Sequence, residues 1–186
     1  TSASAGLGGE WLLDPLDVTI VSGDANTGVT ESGKGAGGAT LDTDTDHVFS
    51  PSASGAQVSA QKISDQLNNG TSVTVETHGD GSQAGNITFN KDASVKKTAG
   101  GDATLTLKAD RDISFEKRDW ISPGDTGNGA IVSTHGKLNL NLLTGNDGKN
   151  GTVEFNGFVR LHLNGGDAFI GPANTTSGNA SVSFQN

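Results

Sequence analysis

Apolar residues in this chain recur mainly as short alternating segments, in which two apolar side chains flank a small, polar or charged one. A period of two residues is that of a β-strand with one buried face. Turns rich in Gly, Asn and Asp separate the segments, so the pattern predicts many short strands. The predicted strands centre on residues 18–20, 73–75, 87–89, 105–107, 113–115, 138–142, 153–155, 161–163 and 182–184.

The segment 58–70 has a different period. Val58, Ile63 and Leu67 recur at near-helical spacing, and the segment closes on Asn-Asn-Gly. This pattern indicates a short capped helix or a turn with helical geometry. We interpret the remaining segments as strand and turn.

Two architectures accommodate many short strands joined by Gly-rich turns: an antiparallel sandwich, and a solenoid whose strands stack in parallel. Short gaps between strands alternate with longer ones such as SPGDTGNGA, which favours a solenoid with corners of unequal length. Asn-Gly pairs are compatible with both, because these residues form tight hairpin turns and also accept left-handed corner positions.

The segment 7–20 contains the densest apolar cluster of the chain, WLLDPLDVTI. In a solenoid, the apolar interior and the free backbone groups of the first strand need a cover. We therefore expect this segment to cap the stack of strands, with an ordinary edge strand as the alternative. The residues expected to form the cap are Trp11, Leu12, Leu13, Asp14 and Pro15.

Composition narrows the possible functions. The 186 residues suffice for one domain with a core, although only 32% of them are hydrophobic. The net charge of −9 disfavours binding to nucleic acid or anionic lipid, and no apolar run is long enough for membrane insertion. Cysteine is absent, which excludes disulfides and thiolate chemistry.

Three stretches of the chain resemble one known family. WLLDPLDVTI resembles a signature of the large exoproteins of bacterial two-partner secretion, the group that includes filamentous haemagglutinin and the high-molecular-weight adhesins. VSAQKISDQLNNGTSVTVET and GNITFNKDASVKKTAGGDATLTLKADRDISF resemble the next two blocks of the family pattern. The resemblance covers residues 8–140, and the segment 142–186 is similar only in composition and strand style.

The resemblance implies a fold and a location. The expected fold is all-β: a right-handed single-stranded parallel β-helix (solenoid) with extra-helical loops, over one domain spanning 1–186. The segment 28–55 is longer and more polar than the signature requires, and we expect it to be a side loop. The family implies export through an outer-membrane two-partner secretion pore, to the extracellular space or the bacterial cell surface.

The resemblance also implies adhesion. We expect a segment of a large adhesin that attaches to host or bacterial cells through a receptor that the sequence does not identify. Because the same shaft serves other activities, the alternative is a non-binding structural shaft of a contact-dependent toxin, haemolysin or haem-acquisition exoprotein.

A polysaccharide-cleaving β-helix enzyme is a third hypothesis. Such an enzyme needs clustered carboxylates and a basic residue on one face. Asp110, Arg111 and Asp112 are adjacent, so their side chains point to opposite sides, and Glu154 and Arg160 have no evident partner carboxylate. We therefore expect no enzymatic activity and no catalytic residue.

Metal and cofactor sites are not indicated either. DTDTDH at 42–47 places Asp42, Asp44 and Asp46 at alternate positions, but the stretch lacks the Gly and Glu that an EF-hand requires. No two histidines have ligand spacing, so we expect each to be a surface residue. The histidines are His47, His78, His135 and His162.

Asparagine has two predicted roles. The Asn-x-Ser/Thr triplets occur at Asn69, Asn86, Asn150, Asn174 and Asn179. Chance produces such triplets in a chain rich in Asn and Thr, whereas resemblance to the high-molecular-weight adhesins implies hexose modification by a cytoplasmic transferase. Separately, we expect some of Asn90, Asn156 and Asn164 to bond neighbouring backbone groups at turns.

Overall fold

The computed structural model describes residues 15–33, 46–78, 81–118, 130–146, 148–173 and 179–185. One helix lies among the strands of these ranges, α1 (Ala60–Asn68). The strands are β1 (Val18–Val21), β2 (Val29–Gly33), β3 (Asp46–Pro51), β4 (Ala56–Ser59), β5 (Ser72–Glu76), β6 (Ile87–Phe89), β7 (Val95–Lys97), β8 (Ala103–Lys108), β9 (Ile113–Arg118), β10 (Ile131–Ser133), β11 (Leu138–Thr144), β12 (Gly151–Gly157), β13 (Leu161–His162), β14 (Ala168–Pro172) and β15 (Ala180–Gln185).

These strands form three sheets of mainly parallel strands. Sheet I has the order β15-β12-β9-β6-β1-β4, sheet II the order β13-β10-β7, and sheet III the order β14-β11-β8-β5-β3-β2. From β6 onward the chain visits sheets I, II and III in turn, and each strand pairs with the one three positions later. The expectation of parallel pairing is therefore confirmed, and the antiparallel sandwich is excluded for the described residues.

The prediction of an all-β, right-handed single-stranded parallel β-helix is wrong. The described strands belong to three separate sheets that no hydrogen-bonded ladder joins into one closed solenoid, and helix α1 contributes to the same core. In addition, β2 pairs with β3 in the antiparallel direction. The arrangement corresponds to an α/β fold. The nine segments that period two predicted are all strands, but period two carries no information on how many sheets the strands form.

Helix α1 is the element that the predicted class left out. Ser59 caps its amino terminus, because the Ser59 Oγ accepts a hydrogen bond from the Lys62 amide at 3.1 Å. The last turn ends at Asn69, and Gly70 adopts a positive φ of 75°. Ile63 and Leu67 lie one turn apart and are fully buried, which anchors the helix to the core.

The core follows from the alternation of side chains along the strands. In β8 and β11 every second side chain is buried. Parallel pairing in register places like residues beside each other, as at Phe89 and Phe115, and at Phe115 and Phe155. The rings of neighbouring phenylalanines stack at 5.2 and 5.0 Å respectively. This phenylalanine ladder runs along the interior of sheet I.

Asx side chains connect the turns that precede sheet I. The Asp17 carboxylate accepts from the Asn86 amide at 2.7 Å, and the Asn86 side chain accepts from the Asp112 amide at 3.2 Å. Asp112 in turn accepts from the Thr152 amide at 2.7 Å. Each side chain thus bonds an amide near the start of the next strand of sheet I, just before β6 and β9 and at the second residue of β12.

The asparagines expected at turns make such bonds as well. Asn90 accepts from the Asp92 amide at 3.0 Å, and Asn156 donates to the Phe115 carbonyl at 3.1 Å. Asn164 donates to the Gly136 carbonyl at 3.0 Å and has a positive φ of 52°. Asparagine tolerates this left-handed conformation better than most residues.

Candidate functional site

A polar groove lies between helix α1 and strand β7, at the edge of sheet II. Its volume is about 400 Å³, which is within the range of about 300–1,000 Å³ typical of small-molecule sites. The side chains come from the helix, from the turn after β1 and from the segment around β7. The lining residues are Ser22, Ala60, Gln61, Ser64, Asn68, Asp92, Ser94, Lys96 and Thr98. We call this site the α1–β7 groove.

Helix α1 completes the edge of β7 with side chains. The Ser64 Oγ accepts from the Lys96 amide at 2.9 Å, and the Asn68 Oδ1 accepts from the Thr98 amide at 2.7 Å. Ser64 and Asn68 are four residues apart, so they lie on one face of the helix, directly beside Ile63 and Leu67. The hydroxyl and the amide therefore replace the carbonyls that a neighbouring strand would offer.

Alternation along β7 determines which side chains reach the groove. Val95 and Lys97 are buried, whereas Lys96 and Thr98 are exposed. Lys96 therefore presents its ammonium group at the rim. Asp92 is exposed at the turn before β7, and its carboxylate lies 3.6 Å from the Lys91 ammonium. The rim thus carries both a cation and an anion.

Most residues that line the groove carry a neutral hydrogen-bonding group, either a hydroxyl or an amide. Hydroxyls come from Ser22, Ser94 and Thr98, and amides from Gln61 and Asn68. The Gln61 amide donates to the Asp65 carboxylate at 2.8 Å, on the exposed side of the helix. Hydroxyls and amides both donate and accept. The groove is therefore suited to a ligand with many hydroxyl groups.

Directly beneath this site, Lys97 is buried inside the turn that follows β7. Its Nζ donates to the carbonyls of Ala99 and His135, at 2.7 Å each, and to that of Gly100 at 3.3 Å. Burial lowers the pKa of Lys97, and the Asp102 carboxylate partly opposes this shift. In the sequence, Lys96 and Lys97 are simply adjacent basic residues. The signal that separates the two lysines is alternation, since Lys97 is two residues after the buried Val95.

The predicted modification sites fall at different degrees of exposure. Asn69, Asn150 and Asn179 are exposed. Asn86 is half-buried and bonds the Asp112 amide. The Asn150 side chain accepts from the Asn179 amide at 3.1 Å, so two of the triplets are in contact. Asn174 lies outside the described residues.

Most of the predicted cap also lies outside the described residues, namely Trp11, Leu12, Leu13 and Asp14. Pro15 is described, and its carbonyl accepts from the Gln83 amide at 3.0 Å. Leu16 and Val18, which follow in the same segment, are buried. The signature therefore contributes buried side chains to the core from Leu16 onward.

The prediction that every histidine is a surface residue is wrong for His47. His78, His135 and His162 are exposed, but His47 is fully buried in β3. Its Nε2 lies 3.2 Å from the Glu31 Oε2, and its ring centroid is 4.5 Å from that of Phe49. His47 therefore links β2 to β3, within the segment 28–55 that we interpreted as a side loop. Asp42 and Asp44 lie outside the described residues.

Asp110 and Asp112, two of the carboxylates considered for catalysis, have structural partners. Asp110 is buried and accepts from the Asn146 side chain at 2.7 Å, and the His78 Nδ1 is 3.9 Å from its other oxygen. Asp112 bonds the Thr152 amide. Among the described residues, no group of three His, Cys, Asp or Glu side chains is placed to hold a metal ion.

No family model, curated protein or solved structure matches this chain. The resemblance of its stretches to the two-partner secretion exoproteins therefore remains an interpretation of motifs. Within the described ranges, the single helix is too short and too polar to cross a bilayer.

Proposed function

We propose that this chain is an adhesion module of a secreted bacterial exoprotein, and that the α1–β7 groove binds carbohydrate on host or bacterial cells. The observation that supports this proposal is the composition of the groove: about 400 Å³ of space lined almost entirely by hydroxyl, amide and charged side chains. Sugars offer closely spaced hydroxyls that both donate and accept hydrogen bonds, and these side chains do the same.

Several properties of the groove favour a weak, repeated interaction. None of its described lining residues is aromatic, so the groove lacks the large apolar contact that produces tight binding at protein interfaces. Lys96 is exposed at the rim, where it can bond a hydroxyl or pair with an acidic sugar. Weak sites achieve useful strength when many copies act together on one cell surface.

The motif resemblance supports the location in the proposal. The signature WLLDPLDVTI and the two following blocks favour an exoprotein that passes through an outer-membrane two-partner secretion pore and acts outside the cell or at the bacterial surface. In this proposal the pore is the partner during export, and a receptor on host or bacterial cells is the partner afterwards.

Binding assays with matched lysine variants test the proposal. We expect the purified chain to bind a subset of immobilised oligosaccharides and to adhere to cells that display them. Lys96→Glu should weaken this binding by about tenfold or more, because it replaces the cation of the rim with an anion. Lys137→Glu introduces the same change at another exposed lysine, outside the groove, and should leave binding unchanged. Equal binding by both variants, or no adhesion by the parent chain, contradicts the proposal.

A non-binding structural shaft is the second candidate function, and the phenylalanine ladder favours it. In-register stacking of buried rings along sheet I confers rigidity whether or not the surface binds anything. A chain that is stable and monodisperse but adheres to no cell and no oligosaccharide would support this second function over the first.

Hexose modification is proposed for the exposed Asn69, Asn150 and Asn179. The threonine of the first triplet, Thr71, is buried, so a transferase that reads this triplet must act before the chain folds. Intact-mass measurement after co-expression with a cytoplasmic hexose transferase should show added hexoses, and Asn69→Gln should remove one of them. An unmodified mass rules the modification out.

A further inference from the structure

The turn between β1 and β2 lies against the edge of β4 and the start of α1. Thr27 exchanges two backbone hydrogen bonds with Gln57 of β4. The Asn26 Oδ1 accepts from the Ser59 amide at 2.8 Å, and the Ser59 Oγ donates to the Gly23 carbonyl at 2.6 Å. Because Ser59 is also the N-cap of α1, these contacts fix the position at which the helix begins.

The same contacts fix two parts of the α1–β7 groove. Ser22, which precedes Gly23, lines the groove, and so does Gln61, in the first turn of the helix. Ser59 bonds the turn on one side and begins the helix on the other, so its position sets the spacing between Ser22 and Gln61. Hydrogen bonds weaken steeply when their geometry is lost, so a polar site depends on residues that hold its walls in place.

Glu31 of β2 holds Asn26 in its orientation. The Asn26 Nδ2 donates to the Glu31 Oε1 at 2.6 Å, while the Asn26 Oδ1 accepts from the Ser59 amide. Both ends of the Asn26 side-chain amide are therefore bonded. A bond to a carboxylate is stronger than one between neutral groups, so Glu31 is the stronger of the two partners.

A buried histidine anchors Glu31 in turn. The second carboxylate oxygen of Glu31, Oε2, lies 3.2 Å from the Nε2 of His47. His47 is fully buried in β3, and its ring centroid is 4.5 Å from that of Phe49. A ring packed in this way has little freedom to move. We call the contacts that connect His47, Glu31, Asn26 and Ser59 the Glu31 network.

We propose that strands β2 and β3 position the walls of the α1–β7 groove through the Glu31 network, with Glu31 and Asn26 as positioning residues. Neither of them lines the groove, so each acts through Ser59. The inference rests on the proposed carbohydrate binding for the ligand of the groove. It gives the segment 28–55, which the sequence pattern assigns to a side loop, a role in the site.

Hydrogen exchange of the complete, ligand-free chain tests the network itself. Glu31→Ala removes both contacts of the carboxylate, so we expect the Ser59 amide to exchange about fivefold or more faster. Glu31→Gln keeps an oxygen that can accept from Asn26 and should restore most of the protection. Glu76→Ala is the matched control: it removes another carboxylate, which accepts from the Ser50 hydroxyl at 2.8 Å, and should leave Ser59 unchanged.

Titration with the methyl glycosides of galactose, mannose, N-acetylglucosamine and sialic acid tests the effect on the groove. For a glycoside that the parent chain binds, Glu31→Ala should raise the dissociation constant by about three- to tenfold. Glu31→Gln and Glu76→Ala should stay within about twofold of the parent chain. The titrations are made at a temperature at which circular dichroism shows every variant to be folded, where a role in overall stability alone would leave the affinities equal.

The two measurements distinguish a failure of the network from a failure of the adhesion function. Unchanged exchange of the Ser59 amide in Glu31→Ala overturns the inference, and so does an unchanged affinity for a glycoside that the parent chain binds. A parent chain that binds none of the glycosides contradicts the adhesion function, and the exchange of Ser59 then decides alone whether the network positions α1.

Discussion

The two ends of the stack of strands differ in what lies against their outer strands among the described residues. At the α1 end, which consists of α1, β2 and β4, the edges of sheets I and II bond residues outside the sheets, and sheet III ends in the antiparallel strand β2. Thr27 exchanges two backbone bonds with Gln57 of β4, at 2.9 and 2.8 Å. Helix α1 satisfies the edge of β7, and β2 lies antiparallel on β3. At the β15 end, β13, β14 and β15 are the last described strands of their sheets, and Phe184 of the phenylalanine ladder is exposed.

This difference shows that covering an edge and creating a binding site are related. The helix that closes sheet II is also one wall of the α1–β7 groove, because Ser64 and Asn68 face β7 with their side chains. A strand in this position would have closed the edge and left no space. The α1 end therefore carries a polar groove, whereas the β15 end exposes Phe169, Val182 and Phe184.

We expect the largest change in the free energy of unfolding when a phenylalanine of the ladder is truncated. Phe115 is 1% exposed and is covered by rings on both sides, so Phe115→Ala should lower the free energy of unfolding by about 3–5 kcal/mol. Phe184→Ala removes the same side chain at the exposed end and should change it by less than about 0.5 kcal/mol in dilute solution. Urea unfolding measures both values, and similar losses would contradict the asymmetry between the ends.

We expect the second-largest change in stability at the adjacent lysines of β7. Lys97→Met removes the donor that the carbonyls of Ala99, Gly100 and His135 share, and should cost about 1–3 kcal/mol of stability. Lys96→Met, at the exposed rim of the groove, should lie within about 0.5 kcal/mol of the parent chain. Thermal and urea unfolding measure the stability of the two variants, which differ in whether the buried or the exposed ammonium group is removed. Equal stability of both would show that the Lys97 bonds contribute little.

We expect a smaller change in stability when a helix side chain that bonds the edge of β7 is removed. Asn68→Ala removes the acceptor of the Thr98 and Ala99 amides and should destabilise the chain by about 0.5–1.5 kcal/mol. Asn69→Ala changes the next residue, which is exposed, and should have less effect. Hydrogen exchange measured per residue should show faster exchange at Thr98 and Ala99 in Asn68→Ala alone. Unchanged protection would indicate that the helix does not complete the edge.

Much of the strand content could be predicted because alternation is a local property. Val73 and Val75, or Leu105 and Leu107, identify buried strand faces without any knowledge of their neighbours. Strand β7 was missed because its sequence, VKK, places a charged residue at the inward position. Lys97 is stable there because three carbonyls from two turns surround it, and no local pattern reports such a contact.

The arrangement of the strands was predicted less well. Parallel pairing was expected, but the division into three sheets depends on where the chain turns between strands, and Gly- and Asn-rich segments do not encode that direction. The helix was recognised as one of two possibilities for the segment 58–70, yet its place beside β7 depends on side-chain bonds of Ser64 and Asn68 that sequence spacing does not reveal.

The candidate groove could not be predicted for the same reason. Ser22, Gln61 and Lys96 are far apart in the sequence and belong to no recognisable motif; packing of α1 on β7 brings them together. His47 is a comparable case, since antiparallel pairing of β2 and β3 places it beside Glu31.

The most direct test of the adhesion proposal is an NMR titration of the isotope-labelled chain with methyl glycosides of galactose, mannose, N-acetylglucosamine and sialic acid. The proposal predicts that at least one of them shifts the amide signals of Gln61, Ser94, Lys96 and Thr98 in a saturable manner, while the signals of β15 do not change. Saturable shifts at the β15 end instead, or no shifts in the groove with any of these sugars, would contradict it.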